Sequence, residues 1–294
     1  MEELTYSQFS RAETFRDLHQ GTGMFVIPNP WDAGSAKMLT GLGFQALAST
    51  SAGMAYTIGE ADGYVMREES LANARSIVAA THLPVTADLE DGFGENPETC
   101  AETILLAAKV GLVGGSVGDS KTHNCSEIFD LDHAVARIKA AVDAARSLPF
   151  HFTLTARSEN FLHGRNDLGD TIRRLVAFAD AGADVLFAPA IKTSKDIKAI
   201  VKAVAPKPVN VLWGYPDQSL TVKDLANLGV KRLSTGSSLA RAAYGAFYNA
   251  AKEIRNNGTF NYAKNAIPYP EINSLLSSQD LMPGSTAHFP QIPV

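Results

Sequence analysis

The chain has 294 residues, of which 45% are hydrophobic and 19% are charged, and its formal net charge is −5 at pH 7. These values suit a globular protein with a large core and exclude extensive disorder, and the absence of a long basic run excludes a nucleic-acid-binding surface. Two cysteines allow at most one disulfide, and no segment resembles a signal peptide or a membrane span, so we expect a soluble cytoplasmic protein.

Short β-branched runs alternate with longer amphipathic segments, a pattern typical of βαβ units around a parallel sheet. The predicted strands are 24–27, 46–49, 85–89, 114–117, 152–156, 185–188, 209–212 and 232–235. The predicted helices between and after them are 33–42, 70–80, 97–110, 131–147, 170–181, 195–205, 221–228 and 237–255. Glycines at 43, 111, 182 and 229 predict left-handed helix ends before the next strand.

The number of strands decides between two architectures. Eight parallel strands, each followed by a helix, favour a closed (β/α)8 barrel over an open doubly wound sheet. No G-x-G-x-x-G motif follows the first strand, where Pro28-Asn29-Pro30 stands, so a dinucleotide-binding fold loses support. We predict one barrel domain over residues 1–260, with an N-terminal helix, and a C-terminal helical extension over 261–294 that docks on a neighbouring subunit.

Two carboxylates follow the third strand. Active sites of β/α barrels lie at the carboxyl ends of the strands, so polar residues there are candidates for chemistry. Asp88 and Glu90 are two residues apart and are expected to project to the same side of the barrel mouth. Their repulsion would be relieved by a hard divalent cation with oxygen ligands. The alternative is a solvated acidic turn before a helix.

An arginine and a loop of small residues complete the candidate site. Arg157 ends the fifth strand, and its guanidinium fork suits a substrate carboxylate. The alternative is a structural ion pair with Glu159 or with the acids after the third strand. After the second strand, the small residues over 49–53 would let backbone N–H groups approach an anion closely.

In this order, the motifs resemble the phosphoenolpyruvate mutase and isocitrate lyase superfamily over about residues 25–260. Residues 88–94 match its D-x-[DE]-x-G-[YF]-G motif, and residues 156–159 match its A-R-x-[DE] motif. The loop over 49–62 is similar to the family's loop that ends in a metal-associated aspartate, here Asp62. Segments 29–34, 208–212 and 232–236 also look like the family.

The resemblance implies three sets of site residues. The metal-binding residues would be Asp88, Glu90 and Asp62, with Mg²⁺, or Mn²⁺ in its place, bound directly by Asp88. The substrate-binding residues would be Thr50, Ser51, Gly53, Arg157 and Asn210. The catalytic residues would be Arg157, Asp62 and Glu159.

The activity that the resemblance implies is a Mg²⁺-dependent lyase or decarboxylase. Such an enzyme cleaves a carbon–carbon bond next to a 2-oxo or 2-hydroxy carboxylate through an enolate, which the metal stabilises. One alternative is a carbon–phosphorus mutase or hydrolase acting on phosphonopyruvate or phosphoenolpyruvate, and another is a barrel that has lost catalysis and only binds a carboxylate. The family also implies a homo-oligomer, a tetramer or a dimer, with a small carboxylate and neither nucleic acid nor a membrane as its ligand.

Two departures from the family concern the segment after the fourth strand. The family usually has a Glu-Asp pair there, and this chain has Gly118-Asp119, so we expect a thinner metal shell. Either Asp119 reaches the metal through a water, or the site is weaker, or catalysis is lost. Isocitrate-type lyases have a K-[KR]-C-G-H loop, whereas residues 120–127 read S-K-T-H-N-C-S-E. Cys125 is therefore either an acid/base thiol or a bystander in a loop.

Overall fold

A computed structural model of the chain describes residues 2–121, 127–216 and 218–277, with side chains from residue 7 onward. The strands are β1 Phe25–Ile27, β2 Leu47–Ala48, β3 Val85–Asp88, β4 Gly114–Gly118, β5 Thr153–Arg157, β6 Val185–Phe187, β7 Val209–Leu212 and β8 Arg232–Ser234. The α-helices are α1 Glu2–Gln20, α2 Ala33–Gly41, α3 Ser51–Thr57, α4 Arg67–Ala79, α5 Pro97–Lys109, α6 Leu131–Arg146, α7 Leu168–Asp180, α8 Ser194–Val204, α9 Val222–Asn227, α10 Ser238–Asn257 and α11 Tyr269–Ser277. A 3₁₀ helix covers Asn261–Asn265.

The eight strands form a nearly closed parallel barrel. They are hydrogen-bonded in the order β1-β8-β7-β6-β5-β4-β3-β2. Between β1 and β2, the N–H of Ala48 donates to the carbonyl of Pro28 at 3.1 Å, and Nδ2 of Asn29 donates to the carbonyl of Ser49 at 2.9 Å. The predicted (β/α)8 barrel is therefore confirmed, and every predicted strand lies within one residue of an observed strand at each end.

The helices begin and end at local signals in the sequence. The side chains of Asp130 and Asp167 accept the N–H of the third helical residue in α6 and α7, at 3.0 and 2.9 Å. The four predicted helix-end glycines all have positive φ, between 82° and 104°. At Gly182 an added Cβ would also lie 2.9 Å from Val142, so close packing against α6 requires glycine as much as the turn does.

Buried apolar side chains pack around the barrel and close its amino-terminal end. The larger cluster of buried apolar side chains lies between the barrel and the helices, and includes Leu175 and Phe178 of α7. A second cluster is centred on Phe15 of α1, which is fully buried. Nε2 of Gln8 in α1 donates to the carbonyls of Ala108 and Leu112 at 2.8 and 2.9 Å. Helix α1 therefore closes the amino-terminal end of the barrel, and the carboxyl-terminal end stays open.

The C-terminal helices differ in their packing. Helix α10 buries only Ala240, and Phe247 and Tyr248 are 70% and 63% exposed. Helix α11 packs on α2, where Nζ of Lys37 donates to the carbonyl of Leu276 at 2.9 Å. None of the helices within the described ranges combines the length and apolar character needed to cross a membrane.

Candidate active site

A cavity of about 210 Å³ opens at the carboxyl-terminal ends of the strands. Eight predicted site residues lie in its wall: Thr50, Ser51, Asp62, Asp88, Glu90, Arg157, Glu159 and Asn210. Parallel strands of a barrel all end at the same rim, so residues that are distant in sequence meet there.

Gly53 is the predicted site residue that does not line the cavity. The segment predicted as a loop starts helix α3, with Thr50 as its N-cap. The N–H of Gly53 donates to Oγ1 of Thr50 at 3.2 Å instead of facing an anion. A Cβ at this position would lie 2.6 Å from Cγ2 of Thr50 and 3.0 Å from Cβ of Trp31. Glycine is required here for packing.

Three carboxylates from different segments form one acidic cluster. Asp88 is the last residue of β3, Glu90 follows it, and Asp62 lies in the loop between α3 and α4. The hydroxyl of Ser51 joins two of them, donating to Oδ1 of Asp62 at 3.1 Å and to Oδ2 of Asp88 at 2.9 Å. Burial, and then the neighbouring charge of Asp88, raises the pKa of Asp62.

Glu90 is the most constrained member of the cluster. Strand β3 ends before it, and its φ of 51° lies in the left-handed region that glycine favours. Its Oε1 is buried without a hydrogen-bond partner among the described residues. Burial raises the pKa of Glu90 well above its ordinary value, and the charges of Asp88 and Asp62 raise it further. This strain and the unpartnered oxygen point to a functional constraint on the loop.

Arg157 faces the acidic cluster from the end of β5. Its Nη1 donates to Oδ1 of Asp88, and its Nη2 donates to the carbonyl of Glu90 at 2.9 Å. Its Nε lies 3.0 Å from Oε1 of Glu159, close enough for charge attraction although the N–H is not directed at that oxygen. Burial alone would lower the pKa of Arg157, but Asp88, Glu159 and Glu90 raise it overall. The guanidinium is therefore permanently charged.

The carboxylate of Glu159 fills the space next to Gly118. A Cβ on Gly118 would lie 2.6 Å from Oε2 of Glu159 and 2.7 Å from its Cδ. The hydroxyl of Ser120 donates to Oε2, and Nε2 of His163 lies 3.9 Å from the same oxygen. Burial tends to raise the pKa of Glu159, but Arg157 and these neighbours lower it overall. An acidic group is thus present at this wall, although it comes from the segment that follows β5.

Asp119 lies behind this wall and does not line the cavity. It is fully buried, accepting the N–H of Glu159 at 2.8 Å and Nη1 of Arg174 at 3.2 Å. Burial and the charge of Glu159 raise its pKa to about 6. The alternative in which Asp119 reaches a metal through a water is therefore wrong, because its side chain is fully buried outside the cavity lining and each of its oxygens already accepts a hydrogen bond.

The arrangement of the barrel and its motifs agrees with a known family. A sequence profile of the phosphoenolpyruvate phosphomutase family matches residues 15–255. The chain belongs to this family. Its membership in the phosphoenolpyruvate mutase and isocitrate lyase superfamily, predicted from the motifs, is thereby confirmed.

Relatives cover most of the chain. A crystal structure of a Burkholderia cenocepacia J2315 protein, described as a lyase or mutase, is 53% identical with a TM-score of 0.91, covering 94% of this chain and 99% of that one. The 2,3-dimethylmalate lyase of Eubacterium barkeri is 30% identical over 201 residues, 66% of this chain and 68% of the relative. The oxaloacetate decarboxylase of Bradyrhizobium diazoefficiens is 28% identical over 256 residues, 84% and 85% of the two chains. The family is enzymatic and includes lyases and mutases.

The donor atoms of the acidic cluster are of the type that a hard divalent cation prefers. Its donors are all oxygens, and a cation would satisfy Oε1 of Glu90 and remove the repulsion that raises two of the pKa values. Over residues 2–121, 127–216 and 218–277, no three His, Cys, Asp or Glu side chains are already grouped as metal ligands. Mg²⁺ keeps several waters and needs only one or two direct carboxylates, so such a group is not required.

Several cavity residues have no counterpart in the sequence-based prediction of the site. Ser120 contacts Glu159, and Ser116 accepts from Nη1 of Arg157 at 3.2 Å. Arg232 lines the cavity from the start of β8. The segment that contains Arg232 matched the family pattern, but nothing local indicated that its side chain reaches the cavity. Cys125, predicted as a thiol catalyst or a bystander, lies outside the described residues.

Proposed function

We propose that this protein is a Mg²⁺-dependent lyase or decarboxylase that cleaves the carbon–carbon bond next to a 2-oxo or 2-hydroxy carboxylate. The observation that carries the proposal is the convergence of Asp62, Asp88 and Glu90 on one cavity beside Arg157. The relatives named for dimethylmalate and oxaloacetate support carbon–carbon cleavage. A volume of about 210 Å³ is below the roughly 300–1,000 Å³ of typical drug-sized sites, which favours a small acid.

The acidic cluster would hold the cation. Asp88 would bind Mg²⁺, or Mn²⁺, directly, and Asp62 and Glu90 would complete its oxygen environment. When bound, the cation supplies positive charge beside the 2-oxo group, where negative charge develops as the neighbouring bond breaks. Ser51 orients the cluster, because its hydroxyl contacts both Asp62 and Asp88.

Arg157 would hold the substrate carboxylate. Its Nη1 contacts Asp88, and a cation would compete for that oxygen and leave Nη1 available to the substrate. Thr50, Ser51 and Asn210 line the same cavity and would orient the substrate, the first two through their backbone N–H groups. Two adjacent nitrogens of a guanidinium fix both oxygens of a carboxylate, so the scissile bond would be positioned as well as bound.

Glu159 would supply the acidic group that Gly118 cannot. Its carboxylate occupies the space above Gly118, and its lowered pKa keeps it ionised at neutral pH. Contact with the hydroxyl of Ser120 would let the pair hold a proton at the cavity wall. The wall at Gly118 therefore keeps one acidic group, and the loss of catalysis that the glycine suggested is not required.

Product analysis tests the proposed activity. The protein would be incubated with oxaloacetate, 2-methylisocitrate and phosphonopyruvate, with and without Mg²⁺, while pyruvate and phosphate are measured. We expect pyruvate from at least one of the first two substrates, and only with Mg²⁺. Phosphate released from phosphonopyruvate would favour a carbon–phosphorus hydrolase. Absence of product from all three in the presence of Mg²⁺ would favour a barrel that only binds carboxylates.

A pair of isosteric variants tests the metal residue. Asp88→Asn should reduce turnover by at least about 100-fold, because the direct ligand loses its charge. It should also weaken Mn²⁺ binding measured by electron paramagnetic resonance. Asp143→Asn is the matched control, because Asp143 is 62% exposed on α6 and pairs with Lys139. Equal Mn²⁺ affinity in the two variants would contradict the role of Asp88.

We also propose that the protein is a homo-oligomer, a tetramer or a dimer, assembled through α10 and the extension over 261–294. The exposed Phe247 and Tyr248 support this, because contiguous exposed apolar side chains mark protein–protein contacts. Sedimentation velocity should give a smaller particle for Phe247→Asp than for the wild type. A monomeric wild type at micromolar concentration would contradict the proposal.

The cellular location that we propose is the cytoplasm. Cys100 is a free, buried thiol in the core, and its burial raises its pKa to about 11. Free core thiols are typical of reducing compartments. Fractionation of cells that produce a tagged full-length chain should recover it in the cytosolic fraction, and recovery outside the cytosol would contradict this location.

A further inference from the structure

Arg232 is a buried cation at the floor of the cavity. It is the first residue of β8, is 4% exposed and lines the cavity. Its Nε donates to Oδ1 of Asn210 at 2.9 Å, and its Nη2 donates to Oγ1 of Thr155 at 2.9 Å. Its Nη1 lies 3.3 Å from Nε2 of His19. The guanidinium therefore crosses the barrel interior from β8 to β5 and α1.

All three partners of Arg232 are neutral. Burial, followed by the charge of Arg232, lowers the pKa of His19 to about 3, so this imidazole is uncharged. Nδ1 of His19 lies 2.7 Å from the carbonyl of Phe15 and donates to it, which leaves Nε2 as an acceptor for Arg232. No carboxylate within the described ranges lies within 4.0 Å of Arg232. The three contacts use three of the five N–H groups of the guanidinium, so two N–H groups are available to a ligand.

The two buried arginines of the cavity therefore differ in their charge balance. Arg157 is surrounded by Asp88, Glu90 and Glu159, whereas Arg232 has no acidic partner among the described residues. Burial alone lowers the pKa of Arg232 to about 9, which reflects the unfavourable free energy of a buried charge without a counter-ion. Open space next to the guanidinium allows a ligand to provide that counter-ion.

We propose that Arg232 is a second anion-binding residue, which receives a carboxylate or phosphonate group at the opposite end of the substrate from the carboxylate held by Arg157. The proposal rests on the cavity being the substrate site. A substrate with one anionic group at Arg157 and another at Arg232 would place its central carbons between the acidic cluster and the floor. The cavity would then select acids with two anionic groups over acids with one.

Matched ligands test this selection without turnover. Calorimetry with Mg²⁺ present would compare succinate, 3-phosphonopropionate and butyrate, since the first and last have equal carbon counts and differ by one carboxylate. The wild type should bind succinate or 3-phosphonopropionate at least about 30-fold more tightly than butyrate. The tighter of the two identifies the anionic group. Equal affinities for all three would overturn the proposal.

Variants of Arg232 test whether this residue causes the preference for dianions over butyrate. Arg232→Gln should reduce the preference for the dianion to within about 3-fold, whereas Arg232→Lys should retain part of it because the charge remains. Lys231→Gln is the matched control, because it removes one positive charge from the adjacent residue, which does not line the cavity. Nζ of Lys231 donates instead to the carbonyls of Gly21 and Gly23, each at 2.6 Å. An undiminished preference for the dianion in Arg232→Gln would overturn the proposal, and if that variant does not fold, an undiminished preference for the dianion in Arg232→Lys would do so.

The binding experiment on Arg232 and the turnover experiment on the proposed lyase can fail independently. Dianion selection without turnover of any 2-oxo or 2-hydroxy acid would support the role of Arg232 and contradict the lyase. Turnover with no dianion selection would support the lyase and contradict the role of Arg232.

Discussion

Gly118→Ala is expected to destabilise the protein through a collision with Glu159. The backbone at Gly118 does not have a positive φ, so alanine causes no backbone strain there. Its methyl group would lie 2.6 Å from Oε2, 2.7 Å from Cδ and 3.0 Å from Oε1 of Glu159. Each distance is shorter than a van der Waals contact, so the carboxylate has to move.

The loss of stability in Gly118→Ala depends on the contacts that the Glu159 carboxylate gives up when it moves. Glu159 is 5% exposed, and its oxygens contact Ser120 and the guanidinium of Arg157. A hydrogen bond to a charged group contributes about 1.5–3 kcal/mol, and breaking a buried ion pair costs about 3–5 kcal/mol. Because the carboxylate shifts and does not vanish, we expect a loss of about 2–4 kcal/mol in the free energy of unfolding.

A double-mutant cycle measured by urea denaturation at pH 7 isolates the collision. In the Glu159→Ala background the oxygens are absent, so Gly118→Ala should then cost less than about 0.5 kcal/mol. Gly245→Ala is the control, because its added Cβ in α10 would meet no side chain or neighbouring element of the described residues within 4 Å, and it should stabilise by about 0.5–1 kcal/mol. Additive effects of the two substitutions, or a neutral Gly118→Ala, would refute the reasoning.

Three further outcomes follow from the same structure. His19 has a pKa of about 3 in the folded protein against an ordinary 6.5, so between these values only the unfolded chain takes up a proton at this residue. The free energy of unfolding should therefore fall by about 1.4 kcal/mol per pH unit as the pH drops from 6.5 towards 3. Denaturation curves of His19→Gln should lack this pH-dependent loss. Gly92→Ala should cost at least about 2 kcal/mol, because Gly92 has a φ of 84° and its Cβ would lie 2.6 Å from Sγ of Cys100; a melting temperature equal to the wild type would contradict this. Gly118→Glu should lower turnover alone, and combining it with Glu159→Gly should recover part of it in the same assay, because an acid at 118 then occupies the space that Glu159 fills. Absence of recovery would contradict the idea that an acid at 118 can serve in place of Glu159.

The strands were predictable because their signals are local. Each predicted strand is a short apolar run next to a turn, and Gly111 and Gly182 end helices at left-handed positions that require only neighbouring residues. Helix α3 escaped prediction because it has only seven residues, mostly small, with no apolar period. Its N-cap, Thr50, is a local signal that could have indicated it.

The acidic cluster was only partly predictable. Asp88 and Glu90 stand together in the sequence, so their proximity required no knowledge of the fold. Asp62 was included through the family resemblance, and the contact of Ser51 with both Asp62 and Asp88 depends on how α3 packs against β3. Asp119, which one of three alternatives from the sequence connected to the metal through a water, is instead buried in a pair with Arg174 of α7.

The sequence by itself determined the order of strands and helices and the set of residues at the barrel mouth, because hydrophobic period, caps and glycines act over a few residues. Only the tertiary structure decided that the carboxylate of Glu159 fills the space above Gly118 and that Arg232 reaches the cavity with no acidic partner in the part of the chain that the structure describes. Those contacts join residues from different strands, and their strength depends on burial and on the direction of each side chain, which no local pattern specifies.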